Sequence, residues 1–266
     1  MSRTAIPYWH VDAFAQRAFT GNQAAVMPLD AWPGDAVLQA IGEENNFAET
    51  AFLVPDASGA TDRELRWFTP ACEIRLCGHA TLAAGHVLLT LEPERESVRF
   101  ATRKAGVLEV RRLGEGYEVA LPAIPVTRGE WPEAVRGLGA EPREVWRSPD
   151  RYHVFLYDSA EQVLALRPDF AALGALGDDQ FIATAPGVDT DVVSRVFVPG
   201  AGVDEDSVTG SAHAVLTPFW AAKLGRESFS AFQASTRGGL LQCRIEGDRA
   251  WLGGGCVTVV EGTFFL

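Results

Sequence analysis

The sequence lacks the features that identify several common classes of protein. Its four cysteines (Cys72, Cys77, Cys243 and Cys256) form no C-x-x-C pair, and no histidine follows them at zinc-finger spacing. A structural zinc site is therefore not expected. No apolar run reaches the roughly 18 residues of a membrane-spanning helix. The first residues contain no apolar stretch typical of a signal peptide. These absences predict a cytoplasmic protein with no metal and no membrane partner.

Positive charge is also scarce. The chain has 23 Lys and Arg residues against 35 Asp and Glu residues, which gives a formal net charge of −12. A nucleic-acid partner is not expected, because such proteins carry a basic surface. At 266 residues and 47% hydrophobic content, the chain can form one large domain or two smaller ones. A small anionic substrate remains compatible with this charge, because it requires only a local positive field.

Apolar patterning predicts a mixture of strands and helices. Alternation predicts four separate strands and then a meander, and apolar residues at helical spacing predict two helices. The predicted strands cover residues 7–14, 24–29, 48–55 and 64–70, the meander covers 97–122, and the helices cover 35–45 and 78–91.

The second half of the chain repeats the plan of the first. CGHATLAAGHVL (77–88) matches TGSAHAVLTPFW (209–220), and a hairpin-like stretch follows each at nearly the same offset. The alternative to duplication is that the two stretches match only because all units of a helix followed by a hairpin have similar sequence patterns. Duplication predicts two similar lobes, 1–122 and 123–257, with residues 258–266 returning to the first. Two Gly-led helix starts that converge on one cleft would bind an anion such as a carboxylate.

Five ordered motifs carry a family resemblance across essentially the whole chain. They are DAFAQRAFTGNQAAV (12–26), NFAETAFL (46–53), RWFTPACEIRLCGHAT (66–81), DEDSVTGSAH (204–213) and STRGG (235–239). Together they resemble the phenazine-biosynthesis PhzF-like family, which has the diaminopimelate epimerase-like fold. The resemblance implies an α+β protein of two lobes, each an antiparallel sheet rolled around a central helix, with the active site between the lobes. It also implies a homodimer.

The same resemblance implies a reaction and its residues. The family enzyme of phenazine synthesis isomerises trans-2,3-dihydro-3-hydroxyanthranilic acid by moving a proton with a glutamate, without cofactor or metal. That glutamate corresponds to Glu49. The other implied site residues are His79 and Asp206, which polarise or orient the substrate, and Gly78, Gly210 and Ser211, which bind it.

The chain departs from the pattern of its relatives at three positions. Gln23 and Ser207 stand where many members have proline, which removes a turn constraint but no reactive group. Epimerases of this fold place one cysteine before each Gly-led helix, and here those positions hold Cys77 and Thr209. A threonine cannot act as a second thiolate, so two-base cysteine racemisation is not expected. Cys77 is predicted to line the substrate site as a small apolar residue.

The residues themselves leave alternatives open. Glu49 is either a proton carrier or a solvated glutamate at a strand edge. His79 is either a site residue or a satisfied core histidine, and Asp206 either orients substrate or caps a helix. At the level of the whole protein, two alternatives to the isomerase are a non-catalytic small-molecule binder or interaction protein, and an epimerase or lyase that uses Cys77.

Overall fold

The computed structural model describes residues 4–266, which divide into two compact units. Within the described residues, unit 1 comprises the chain up to Leu121 together with Gly253–Leu266, and unit 2 comprises Pro122–Leu252. Each unit contains a mixed β-sheet and a few helices, so the protein is α+β. None of the helices within residues 4–266 is long and apolar enough to cross a membrane.

The first part of the chain forms the strands and helices of unit 1. Its strands are β1 (Ala5–Ala13), β2 (Asn22–Pro28), β3 (Glu49–Pro55), β4 (Arg63–Phe68), β5 (Glu73–Ile74), β6 (Ser97–Thr102), β7 (Val107–Leu113) and β8 (Gly116–Pro122). Its helices are α1 (Asp35–Asn45) and α2 (Gly78–Leu91). The sequence predictions of both helices, the first four strands and the meander are confirmed, with boundary differences of a few residues.

The rest of the chain forms unit 2 and then returns to unit 1. The strands of unit 2 are β9 (Thr127–Gly129), β10 (Glu144–Arg147), β11 (Tyr152–Leu156), β12 (Gln180–Pro186), β13 (Val192–Val198), β14 (Val203–Glu205), β15 (Ser228–Gln233), β16 (Gly239–Glu246) and β17 (Arg249–Gly254). Its helices are α3 (Pro132–Leu138), α4 (Ala160–Ala165), α5 (Phe170–Gly174) and α6 (Gly210–Leu224), with a 3₁₀ turn over Pro199–Ala201. The last strand, β18 (Cys256–Phe265), pairs antiparallel with β1.

The strand pairing of the two units follows one plan. In unit 1, β2 and β3 are parallel, β3 and β4 antiparallel, and β4 and β6 parallel. In unit 2, β11 and β12 are parallel, β12 and β13 antiparallel, and β13 and β15 parallel. The expectation of wholly antiparallel sheets is therefore wrong. In both units a helical segment connects each parallel pair, and parallel neighbours require such a crossover.

Helix α2 is the central helix of unit 1. It is buried along most of its length and contacts β1, β2, β3, β6, β7 and β18. Gly85 allows the sheet to approach, because a Cβ atom there would lie only 2.3 Å from a methyl carbon of Val110. Helix α6 is buried from Gly210 to Thr217 in the same way. A helix that is apolar on all sides is stable only when it is buried. This burial holds the first turns of α2 and α6 in place.

Candidate active site

Glu49 lies at the start of a strand that otherwise enters the core of unit 1. It is the first residue of β3, and it pairs with Ala24 of the parallel neighbour β2. The next five residues of the strand are buried, whereas Glu49 is half-buried. The apolar strand therefore anchors the carboxylate at an end of the sheet, where it is partly shielded from water.

His79 occupies the first turn of the central helix α2, directly against Glu49. Its Nε2 atom lies 2.9 Å from Oε2 of Glu49, and the imidazole is almost completely buried. The preceding N-cap residue, Cys77, has an extended backbone, and its Sγ lies 3.6 Å from Nδ1 of His79. Unit 1 therefore brings together three of the predicted site residues, and Gly78 is the first residue of the same helix.

The close approach of His79 to Glu49 is not a well-directed hydrogen bond. A ring N–H donates in the plane of the imidazole, and the bond weakens steeply when the acceptor lies off that direction. Among residues 4–266, neither Nε2 of His79 nor Oε2 of Glu49 has a hydrogen-bond partner, although both atoms are buried. Buried polar groups are normally paired. These two atoms are therefore suited to form hydrogen bonds with a bound molecule.

Asn22 determines which ring nitrogen of His79 carries the proton. Its Oδ1 accepts the backbone N–H of Gln23 at 3.0 Å, which directs its amide Nδ2 toward Nδ1 of His79 at 3.2 Å. An amide nitrogen can only donate, so Nδ1 accepts and the proton of the neutral ring lies on Nε2. This assigned tautomer presents an N–H to Glu49. The sequence analysis did not identify Asn22 as functional, and its place after Gly21 in the resembling motif was the available signal.

The electrostatics of the group distinguish the thiol from the imidazole. Burial raises the pKa of Cys77 to about 11, and the charge of Glu49 acts in the same direction. The thiol is therefore neutral near pH 7 and is a poor base. Burial lowers the pKa of His79, but the neighbouring Cys77 and Glu49 outweigh it, and the net shift is upward.

The same three side chains offer metal-ligating atoms. One ligand atom each from Glu49, Cys77 and His79 lies within 4.8 Å of the others, which is close enough for a shared ion. Cys77 faces Nδ1 of the imidazole, however, and Glu49 faces Nε2. A ring nitrogen binds a metal through its lone pair, and the Nδ1 lone pair already accepts the amide N–H of Asn22, so Cys77 faces a nitrogen that is engaged. The arrangement fits proton transfer better than metal binding.

The predicted residues of unit 2 meet at the start of α6. Thr209 is the extended N-cap residue, Gly210 and Ser211 form the first turn, and Asp206 lies just before them. The hydroxyl of Thr209 donates to Oδ2 of Asp206 at 2.5 Å. The carboxylate of Asp206 is therefore held by Thr209, at the position where the resemblance to epimerases of this fold would place a cysteine.

Gln233 is a structural partner that sequence reasoning missed. It lies at the end of β15 and is completely buried. Its amide donates to the backbone oxygen of Asp206 at 2.8 Å and to Oγ1 of Thr209 at 3.2 Å, and its Oε1 accepts the Thr209 N–H at 2.8 Å. The available signal was a glutamine within an alternating apolar strand. Gln233 therefore fixes the segment that presents Asp206.

The fold is similar to that of a solved epimerase. A crystal structure of a hydroxyproline epimerase from Agrobacterium vitis superposes with a TM-score of 0.60 at 13% identity, and the match covers 98% of this chain and 93% of that one. At this identity the match shows a shared fold.

Closer relatives identify the family. The PhzC-PhzF family, described as phenazine biosynthesis-like protein, matches residues 11–262. An uncharacterised isomerase from Pseudomonas aeruginosa is 46% identical over 263 residues, covering 98% of this chain and 99% of the relative. A crystal structure of a PhzF-family protein from Enterococcus faecalis has a TM-score of 0.90 at 40% identity, covering 99% of this chain and all of that one. The chain belongs to the phenazine biosynthesis-like PhzC-PhzF family and, like its relatives named isomerases, is an isomerase.

Proposed function

We propose that the protein is a cofactor-independent isomerase in which Glu49 moves a proton between two carbon atoms of a small carboxylate-bearing substrate. The observation that carries the proposal is the buried pair of Glu49 and His79, 2.9 Å apart, whose facing atoms have no other partner among residues 4–266. An acid–base group needs an unengaged atom near the substrate and a neighbour that stabilises its charged form. Among residues 4–266, Oε2 of Glu49 has no hydrogen-bond partner, and Nε2 of His79 faces the carboxylate, which supports the proposal.

The reaction begins with the carboxylate form of Glu49. It takes a proton from a substrate carbon, and the electron pair of that C–H bond moves into the conjugated system of the substrate. Protonated Glu49 then returns the proton to another carbon of that system, so that a double bond migrates and no atom is lost. The Nε2–H of His79 stabilises Glu49 before and after the transfer, and Asn22 holds the ring in the required tautomer.

Binding of the substrate carboxylate is assigned to the helix starts. Backbone N–H groups in the first turn of a helix have no intrahelical partner, and the helix dipole favours an anion there. Gly78 and Gly210 begin the two central helices. We assign Asp206 and Ser211 to orientation of the substrate and Cys77 to the apolar wall. The predicted lobes (1–122 with 258–266, and 123–257), a site between them, the cytoplasmic location and the homodimer belong to this proposal as well.

Two other functions compete with this proposal. A non-catalytic binder would keep the same side chains but show no turnover. An epimerase or lyase would use the thiol of Cys77, and the raised pKa of that buried thiol argues against it.

The decisive experiment is hydrogen exchange with solvent. The protein is incubated in deuterated water with small amino and hydroxy acids, including dihydro-hydroxyanthranilate, and deuterium incorporation is read by mass spectrometry. We expect incorporation that falls about 10²- to 10⁴-fold in Glu49→Gln, the usual contribution of a general acid–base group.

Glu44→Gln is the matched control, because Glu44 is exposed on α1. It should exchange at the wild-type rate. Full activity in Glu49→Gln would refute the role of Glu49. Acid binding without exchange by the wild-type protein, observed by thermal shift, would instead support a binder.

A further inference from the structure

Gln180 occupies in unit 2 the position that Glu49 occupies in unit 1. Each is the first residue of a seven-residue strand that ends in proline, β12 and β3 respectively. Each strand pairs in parallel with the strand before it and antiparallel with the strand after it. The repeated pairing therefore places a glutamine where the other unit has the proposed proton carrier.

The side-chain neighbours of the two residues also correspond. Glu49 faces His79, the second residue of α2, and Gln180 faces Ser211, the second residue of α6. The Nε2 atom of Gln180 lies 3.5 Å from Oγ of Ser211, at the long limit of a hydrogen bond. Its Oε1 is buried and has no hydrogen-bond partner among residues 4–266. Each unit thus holds a polar strand-start side chain against the first turn of its central helix.

An unpartnered buried amide oxygen is unfavourable by itself. The oxygen loses its hydrogen bonds to water on burial and gains none from the protein in return. Exchanging the oxygen and nitrogen of the amide would not remove the cost, because one end would still face Ser211 and the other would still lack a partner. A purely structural glutamine would be expected to find a second partner, as Gln233 does with both ends of its amide. The cost at Gln180 is removed if a bound molecule supplies the missing partner.

The neutrality of Gln180 suits an anionic ligand. A glutamate at this position would add negative charge beside the helix start to which the substrate carboxylate is assigned. A glutamine provides a hydrogen-bonding group of the same size without repelling that carboxylate. It can accept a hydroxyl or amino hydrogen from a neighbouring substituent of the ligand.

We infer that Gln180 is a specificity-determining residue that hydrogen-bonds a hydroxyl or amino group carried by the substrate close to its carboxylate. This inference rests on the proposed function and assigns to Gln180 the recognition of the polar substituent of its substrate. Gln180 takes no part in moving the proton. It discriminates these acids from analogues that have hydrogen in place of the polar substituent.

The test compares two stable aromatic acids that differ in the polar substituents. Binding of 2-amino-3-hydroxybenzoate and of benzoate to the full chain is measured by isothermal titration calorimetry. We expect the wild-type protein to prefer the substituted acid by about tenfold or more, because that acid forms a hydrogen bond with Gln180 and benzoate leaves the buried amide oxygen unpaired. In Gln180→Met the preference should shrink to about twofold, with benzoate binding unchanged.

Two further variants test whether the loss of the binding preference is specific to the amide of Gln180. Gln242→Met, at an exposed position on β16, should keep the wild-type preference. Gln180→Asn shortens the amide but keeps its chemistry, and it should restore part of the preference. An undiminished preference in Gln180→Met would overturn the inference, and so would a wild-type protein that binds the two acids equally or binds neither.

The failures of this inference and of the proposed function are distinguishable. If Glu49→Gln abolishes deuterium exchange while Gln180→Met keeps the binding preference, the isomerase proposal stands and the role of Gln180 is wrong. If Glu49→Gln exchanges normally, the proposed function fails by itself.

Discussion

The first turns of α2 and α6 have similar backbone conformations, but the side chains around them differ in chemistry. Both N-cap residues are extended, with φ −140° and ψ 115° at Cys77 and φ −108° and ψ 101° at Thr209. Both helices begin with glycine, and a side chain four residues after each N-cap contacts the N-cap carbonyl oxygen, Thr81 at 2.5 Å and His213 at 2.9 Å. Around α2 lie a carboxylate, a thiol and an imidazole, whereas Gln180 and two hydroxyls surround the start of α6.

This difference shows how two units with the same backbone arrangement can carry different functions. The start of α2 holds groups that exchange protons, and the start of α6 holds mostly neutral hydrogen-bonding groups together with Asp206. Two histidines illustrate the contrast. His79 lies beside Glu49 and has a raised pKa, whereas His213 is fully buried without a neighbouring charge and its pKa is lowered to about 4. Backbone geometry can therefore be duplicated while the protonation behaviour is set by each neighbour.

The largest effect that would test the comparison concerns His79. Its replacement by glutamine removes the group that stabilises the charged form of Glu49, so we expect about a 10²-fold loss of exchange rate. Initial rates of deuterium incorporation at saturating substrate would measure it. The matching change at the other helix start, Ser211→Ala, should weaken substrate binding more than it slows the proton transfer. Equal losses of rate at both positions would contradict the division of tasks.

The next effect concerns the stability of the segment before α6. Gln233→Leu removes three hydrogen bonds and leaves the Thr209 N–H and the Asp206 oxygen without their partner. We expect the free energy of unfolding to fall by about 2–4 kcal/mol in urea titrations. Gln242→Leu, at an exposed position, should change it by less than about 0.5 kcal/mol. If the free energy of unfolding of Gln233→Leu falls by less than about 1 kcal/mol, other groups or water replace the lost hydrogen bonds.

Lowering the pH should protonate His213 and thereby destabilise the folded protein. Burial lowers its folded pKa to about 4 from an ordinary value near 6.5, so the neutral ring stabilises the protein above about pH 6.5. That contribution, at most about 3 kcal/mol, is lost as the pH falls from about 6.5 toward 4. The free energy of unfolding of His213→Gln should therefore depend less on pH in this window than that of the wild-type protein. An unchanged pH profile would show that His213 is not the titrating group.

His79 should affect the pH dependence of the free energy of unfolding in the opposite direction. Its folded pKa is raised, so its contribution to stability is complete below about pH 6.5 and is lost as the pH rises through the folded pKa. Urea titrations of His79→Gln above neutral pH should show a flatter profile than the wild-type protein. The same slope in both proteins would contradict the upward shift.

The smallest expected effect concerns Cys77. A neutral buried thiol that forms part of the wall can be replaced by serine with less than about a threefold change in exchange rate. Iodoacetamide should modify the exposed Cys72 well before Cys77, and activity should survive that modification. A 100-fold loss in Cys77→Ser, or inactivation that substrate prevents, would favour the thiol-dependent epimerase or lyase.

The local structure and the candidate side chains could be predicted from the amino-acid pattern and the motifs. Strand and helix periodicity depends on neighbouring residues, so the helices at 35–45 and 78–91 and the meander at 97–122 could be predicted without knowledge of the packing. The motifs identified the family, which its match to residues 11–262 confirms, and proposed Glu49, His79 and Asp206 as candidates.

The strand pairings and the surroundings of the site side chains depend on the tertiary structure. Parallel pairing of β2 with β3 and of β4 with β6 depends on how α1 and α2 cross the sheet, which alternation along one strand does not encode. The contacts of Asn22 with His79 and of Gln233 with Thr209 join residues far apart in the chain, so no local pattern reveals them. A pKa depends on burial and on nearby charge, both of which arise when distant segments pack together. His79 and His213 therefore follow similar glycine motifs, yet their pKa values shift in opposite directions.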